Sequence, residues 1–183
     1  MAPPRSSQTS AAIQPGPFFP TRIDIPEDVR TTLVPILNGR LADTFDLYSQ
    51  TKQAHWNVKG KDFYQLHKLF DELAETVEGH VDLLAERITA LGGSAMGTVR
   101  MAAAASTLED LSPDLVDGMS FVNALVERYA HHAHELRTAV DEAETQGDKA
   151  TAELLTGIVR DVDKALYFLE SHLQAGTPGR RAA

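Results

Sequence analysis

The sequence predicts an all-α protein: two antiparallel helical pairs joined by a long crossover. Three observations point to it. Ala, Leu and Glu are plentiful while Val and Ile do not dominate, a balance that favours helix over strand. Apolar residues recur at steps of three and four along four long windows. One long connection, residues 98–118, separates the first two windows from the last two.

The first helix is expected from about Glu27 to about Trp56, on Leu33, Leu37, Leu41, Phe45 and Tyr48. Pro35 is awkward in its interior and implies a later start or a kink. "NVKGKD" breaks the chain, with Gly60 supplying the turn. The second helix, about Asp62 to Leu91, carries a buried stripe from Phe63 through Leu66, Phe70, Val77 and Leu84 to Ile88. "GGSAMG" ends it. A short helix around Met101–Ala105 interrupts the crossover. The third long helix is expected over about Met119–Thr145 and the fourth over about Asp148–Gln174, with "QGD" as the tight turn between them. Helical pairs joined this way describe a ferritin-like four-helix bundle over residues 27–174. Residues 1–26 read as a flexible tail, disordered or laid along the surface through Phe18 and Phe19. Residues 175–183 form a second, shorter tail.

Composition narrows the chemistry. The chain has 183 residues, enough for one domain with a sizeable core. It has no cysteine, which excludes disulfides, thiolate zinc sites and iron–sulfur clusters. No apolar run approaches the roughly 20 residues of a membrane span. The N-terminus lacks a basic region followed by an apolar stretch, so a cytoplasmic location is expected, with nucleoid association as its variant. The net charge of −9 repels DNA and acidic membranes and attracts cations.

The second helix carries the chemistry. His67, Asp71, Glu75, Glu78, Asp82 and Glu86 fall in one sector beside the apolar stripe. A solvated acidic face is the plain reading of such a run. Yet carboxylates at these steps repel one another, Lys68 and Arg87 are too few to neutralise them, and a bound cation would. His67 and Asp71 lie one turn apart, as do Asp82 and Glu86. Asp71 and Asp82 lie eleven residues apart, about 16 Å along the axis, whereas ligand bonds are about 2.0–2.6 Å. One straight helix therefore holds two half-sites, not one site. An antiparallel copy of the same helix about a two-fold axis would complete both. His55 ends the first helix, and the Gly60 break lets it approach His67. Two imidazoles with carboxylates suit iron, manganese or zinc. No Glu-x-x-His occurs, against the single-chain di-iron site of ordinary bundles.

The run His55-Trp56-Asn57, Gly60, Phe63, Leu66-His67, Asp71, Asp82 and Ala85-Glu86-Arg87 resembles the Dps family of mini-ferritins, and a weaker likeness extends over about residues 27–173. The resemblance implies a hollow dodecamer whose subunits share ferroxidase centres across two-fold interfaces. His55, His67 and Asp71 would come from one subunit, and Asp82 and Glu86 from its partner. It implies oxidation of Fe(II), with hydrogen peroxide preferred over oxygen, and storage of Fe(III) mineral. Glu86 would be the strongest iron ligand, with Asp82 assisting; His55 and His67 would serve a second, weaker metal, and Asp71 would ligate or orient a histidine. Trp56 adjoins the site, where packing is the simpler role and radical quenching the other. Glu144, Asp148 and Glu153 would line an ion-admitting pore, although Lys149 sits among them and acidic turns are common.

"HHAH" (His131, His132, His134) has the look of a metal tract; at mid-helix it reads as a surface or interface feature. His80 and His172 are not expected to be ligands. Nucleic-acid affinity needs several Lys or Arg, and the tails supply only Arg5, Arg22, Arg180 and Arg181. DNA binding is therefore expected to be weak or absent. Two further readings stand beside the ferroxidase: a DNA-compacting protein with secondary iron chemistry, and a non-catalytic helical assembly protein.

Overall fold

A computed structural model describes residues 16–174. Those residues form five helices: α1 (Glu27–Asn57), α2 (Phe63–Ala90), α3 (Val99–Ala105), α4 (Gly118–Thr145) and α5 (Lys149–Leu173). α1 packs along α2 and α4 along α5; α1 also meets α4, and α3 lies on α1. The core runs along the bundle axis through Leu37, Leu41, Leu66, Phe70, Leu84, Phe121, Leu125, Leu136, Leu155 and Leu169, all buried. Each such side chain contributes about 1.5–3 kcal/mol of burial.

Local chemistry sets the ends. α2 and α4 both stop in a glycine with positive φ, Gly92 (91°) and Gly147 (77°). In each case the glycine N–H and the next N–H bond back to carbonyls of the last turn (Gly92 to Thr89, Gly93 to Ile88; Gly147 to Glu144, Asp148 to Ala143). Asp117 and Asp148 cap α4 and α5 by accepting from the backbone N–H of Ser120 and Thr151.

α1 runs unbroken through Pro35 from Glu27, so the later start that proline suggested does not occur. Tertiary contacts outweigh the one lost backbone bond. Arg30 donates to the carbonyls of Ile25 and Leu91 at 3.1 and 3.0 Å and lies over the Phe18 ring, which anchors the first turn. Phe19 N–H donates to Gly92 O at 2.7 Å, and Ser94 Oγ to Pro17 O at 2.9 Å. Residues 16–26 thus lie along the surface; residues 1–15 and 175–183 lie outside the described residues. At Gly92 a Cβ would run into Phe19 O and approach Arg30. Gly92→Ala is expected to cost at least about 2 kcal/mol in denaturant unfolding, from the left-handed backbone and the collision together. Gly60→Ala, whose Cβ would meet open space, should cost clearly less.

The crossover is held by side chains rather than by regular structure of its own. Asn38 donates to Ser94 O and accepts from Met96 N–H. Asp43 accepts from Thr107 N–H at 2.7 Å, and Gln50 and Arg128 donate to Glu109 O. This explains the many buried polar residues on α1: it is covered on several sides and must satisfy the segment that crosses it.

Candidate metal centre

The turn at Gly60 (φ 110°) folds the end of α1 against the start of α2, and the bond from Lys59 N–H to Val116 O ties that turn to the crossover. This brings His55 and His67 together. Their rings stack with centroids 3.8 Å apart and planes 20° from parallel. His55 Nδ1 lies 2.7 Å from His67 O, and His67 Nδ1 lies 2.9 Å from His55 O. A carbonyl only accepts, so each Nδ1 must carry the hydrogen. Each Nε2 is then left as the lone-pair nitrogen, the tautomer a metal ligand requires. His55 O belongs to the last turn of α1, where carbonyls lack helical partners; the His67 bond satisfies it. The reciprocal pair therefore caps a helix and orients both imidazoles.

Asp71 lies beside His55. Its Oδ1 lies 3.8 Å from His55 Nε2 and 2.6 Å from Lys52 Nζ. The Lys52 hydrogen bond, aided by the charges of Lys52 and Lys68, holds the Asp71 carboxyl below the ordinary aspartate range. The same bond raises the Lys52 ammonium. Lys52 was missed in the sequence. Its signal lay in its spacing, three residues before His55 on the same helix face, so whatever faces His55 also faces Lys52.

Asp82 and Glu86 sit exposed on α2, one turn apart. Among the described residues of the single chain, no three His, Asp or Glu side chains converge closely enough to hold a metal ion. The His55–His67–Asp71 cluster and the Asp82–Glu86 pair thus remain two separate donor sets. Glu75 and Glu78 are exposed on the same helix. Aromatic surface surrounds the histidine cluster: Phe63 lies 5.2 Å from the His67 ring, and Tyr64 is exposed. Trp56 is 63% exposed. The expectation that it packs is not met within its own chain.

Other sequence candidates have local explanations. Asp148 is buried and fully engaged: Arg87 Nη2 donates to both its oxygens at 2.8 Å, and Thr151 N–H and hydroxyl donate as well. Burial would raise its pKa, but these bonds outweigh it and hold the carboxyl below its ordinary range. A carboxylate so committed cannot also face a pore, which corrects its assignment; Glu144 and Glu153 are exposed. The "HHAH" tract also splits. His131 meets Thr107 Oγ1 at 2.9 Å and His134 is exposed, whereas His132 is wholly buried, correcting its surface assignment. His80 is buried against Asp161, and His172 bonds its own helix at Phe168 O.

A family model for the ferritin-like domain matches residues 35–177. The DNA protection during starvation protein of Agrobacterium fabrum is 39% identical over 154 residues, spanning 84% of this chain and 95% of that one. The corresponding protein of Brevibacillus brevis is 34% identical over 143 residues, 76% of this chain and 93% of that one. Among solved structures, an archaeal Dps homologue from Halobacterium salinarum superposes with a TM-score of 0.84 at 29% identity, covering 96% of this chain and 98% of that one. The Dps protein of Vibrio cholerae O1, described as a ferritin-like diiron-carboxylate protein, superposes at 0.80 with 28% identity, covering 86% and 99%.

Proposed function

The chain belongs to the Dps family of ferritin-like proteins, and from that premise we propose that it oxidises Fe(II) at centres shared between two subunits and stores the Fe(III) product inside a dodecameric shell. The observation that carries this reading is the reciprocal His55–His67 pair: two imidazoles locked with Nε2 free beside Asp71, in a donor set that one chain leaves incomplete. The missing oxygen donors lie on the same helix, on Asp82 and Glu86. An antiparallel two-fold pairing of α2 with its copy brings the two sets together twice. Charge favours that pairing, since Lys61 and Lys68 flank the first turns of α2 while Glu75, Glu78, Asp82 and Glu86 follow. The exposed Trp56, Phe63 and Tyr64 gain cover from it.

The donors suit iron as substrate: carboxylates for a hard cation and imidazoles for a borderline one, a set that also accepts Zn or Mn. Glu86 with Asp82 supplies most of the negative charge for one ferrous ion. His55 and His67 serve the second, and Lys52 competes with that ion for Asp71. Two ferrous ions held together each give one electron to one hydrogen peroxide, whose O–O bond breaks to two waters once two protons are taken up. Neither oxygen leaves as a hydroxyl radical, so the reaction protects against oxidative damage. The test is anaerobic Fe(II) loading followed by a peroxide pulse: a fast absorbance rise without spin-trapped hydroxyl radical supports the proposal, and slow oxidation with radical formation refutes it.

Lys52 gives a separate prediction. Lys52→Gln releases Asp71 and is expected to tighten binding of the second metal roughly tenfold, read by anaerobic Co(II) titration of the assembled protein. No helix among the described residues is long and apolar enough to cross a membrane, and the proposed shell works in the cytoplasm. The tail residues Arg5, Arg180 and Arg181 lie outside the described residues; DNA binding is proposed to be weak.

A further inference from the structure

The iron chemistry leaves unused a buried histidine at the seam between α1 and α4. His132 is 0% exposed. Its Nε2 lies 3.2 Å from Thr44 Oγ1, and that hydroxyl donates its only hydrogen to Arg40 O at 2.7 Å. Thr44 must therefore accept from His132, which fixes the hydrogen on Nε2 and the lone pair on Nδ1. Nδ1 is buried and has no hydrogen-bond partner among the described residues. A proton arriving there creates a cation in the core with no acceptor, which is costly.

The surrounding charges make it costlier. On α1, Arg40 pairs with Asp43 (Nη2 to Oδ2, 3.0 Å) and with Glu135 of α4. On α2, His80 also bears on His132, with its own Nε2 turned to Asp161 of α5 at 3.1 Å. His131, the neighbour on α4, bears on it too. The nearby carboxylates Asp43 and Glu135 are committed to Arg40, and Asp43 Oδ1 also holds the crossover through Thr107 N–H and Thr107 Oγ1, at 2.7 and 3.1 Å. Burial first, then the Arg40 charge, push the His132 imidazole down to about 3.

We propose that His132 is an acid-operated latch: proton uptake at Nδ1 sets a second cation against Arg40, draws Asp43 or Glu135 away from it, and frees the crossover around Thr107 from α1. The closed form excludes this proton and the opened form accepts it near the ordinary histidine value. The opening constant of the latch is therefore independent of pH above about pH 6.5, and below that it rises about tenfold per pH unit for one linked proton.

The experiment is hydrogen–deuterium exchange of the peptide spanning residues 106–112 in the assembled full-length protein, from pH 7.5 to pH 5, corrected for the intrinsic pH dependence of exchange. Wild type should show the tenfold-per-unit rise in opening, and His132→Gln should be flat across the range. Asp43, Glu135 and His80 are common to both proteins, so they do not produce the difference. A flat wild-type profile overturns the latch whether or not the variant folds. A His132→Gln profile as steep as wild type overturns it as well, assigning the proton to another group.

Discussion

Glu86→Ala is expected to abolish fast peroxide-dependent Fe(II) oxidation, by more than about a hundredfold, while the assembly elutes unchanged from a sizing column. Removing a group that only orients a ligand already costs about 10–100-fold, and Glu86 is proposed as a ligand itself. It is exposed in the single chain, so its loss should move stability by no more than about 0.5 kcal/mol. A sharper result comes from mixing two inactive proteins. In the shared arrangement, a dimer of one Glu86→Ala chain and one His67→Ala chain has one site with both lesions and one site with none. Random reassortment should restore about a quarter of the wild-type rate from two dead parents. Site residues confined to one chain would give no recovery, and full activity in Glu86→Ala alone would return this stretch to a plain acidic helix face.

The sequence made the helices and the two pairs of neighbouring side chains on α2 legible for the same physical reason. Both depend on spacing along one helix, and 3.6 residues per turn places His67 with Asp71 and Asp82 with Glu86 without knowledge of anything distant. Contacts across helices were harder. That His55 comes near His67 could be read from the Gly60 turn, but the reciprocal Nδ1 bonds depend on backbone carbonyls, which no residue pattern reveals. Lys52 shares a helix face with His55, but its ion pair with Asp71 joins two helices nineteen positions apart, which spacing along one helix does not give. His132 was hidden by its company. Three histidines in four residues look polar, yet one step along α4 rotates a side chain by about 100°, enough to carry His132 into the core while His131 and His134 stay outside. Pro35 misled in the other direction, since Arg30 and the segment from Gly16 to Ile25 stabilise the first turns of α1 more than one absent N–H weakens them.

Asp148 shows how a residue with the right charge and place for a pore can instead be a structural anchor, and it carries the largest expected effect on stability. Its side chain is 1% exposed and paired with Arg87, itself mostly buried at 14%. The pair ties the last turn of α2 to the cap of α5, with Arg87 Nε also donating to Thr151 Oγ1 at 2.8 Å. Arg87→Ala leaves the buried carboxylate without its cation and is expected to destabilise the subunit by about 3–5 kcal/mol in chemical unfolding. Arg87→Lys keeps the charge but cannot reproduce the fork that spans both oxygens, so it should recover only part of the loss. Adding Asp148→Asn to Arg87→Ala removes the orphaned charge while keeping an oxygen to cap Thr151, and should therefore be more stable than Arg87→Ala alone. The acid response separates this anchor from the His132 latch. A carboxyl held low in the fold stabilises above its unfolded value of about 3.9 and loses that contribution as pH falls through its lower folded value. The His132 contribution is already declining from about pH 6.5. Wild type should thus lose stability in two steps on acidification, with the upper step absent in His132→Gln and the lower one reduced in Asp148→Asn. A single step shared by all three proteins would show that neither group governs the acid limb.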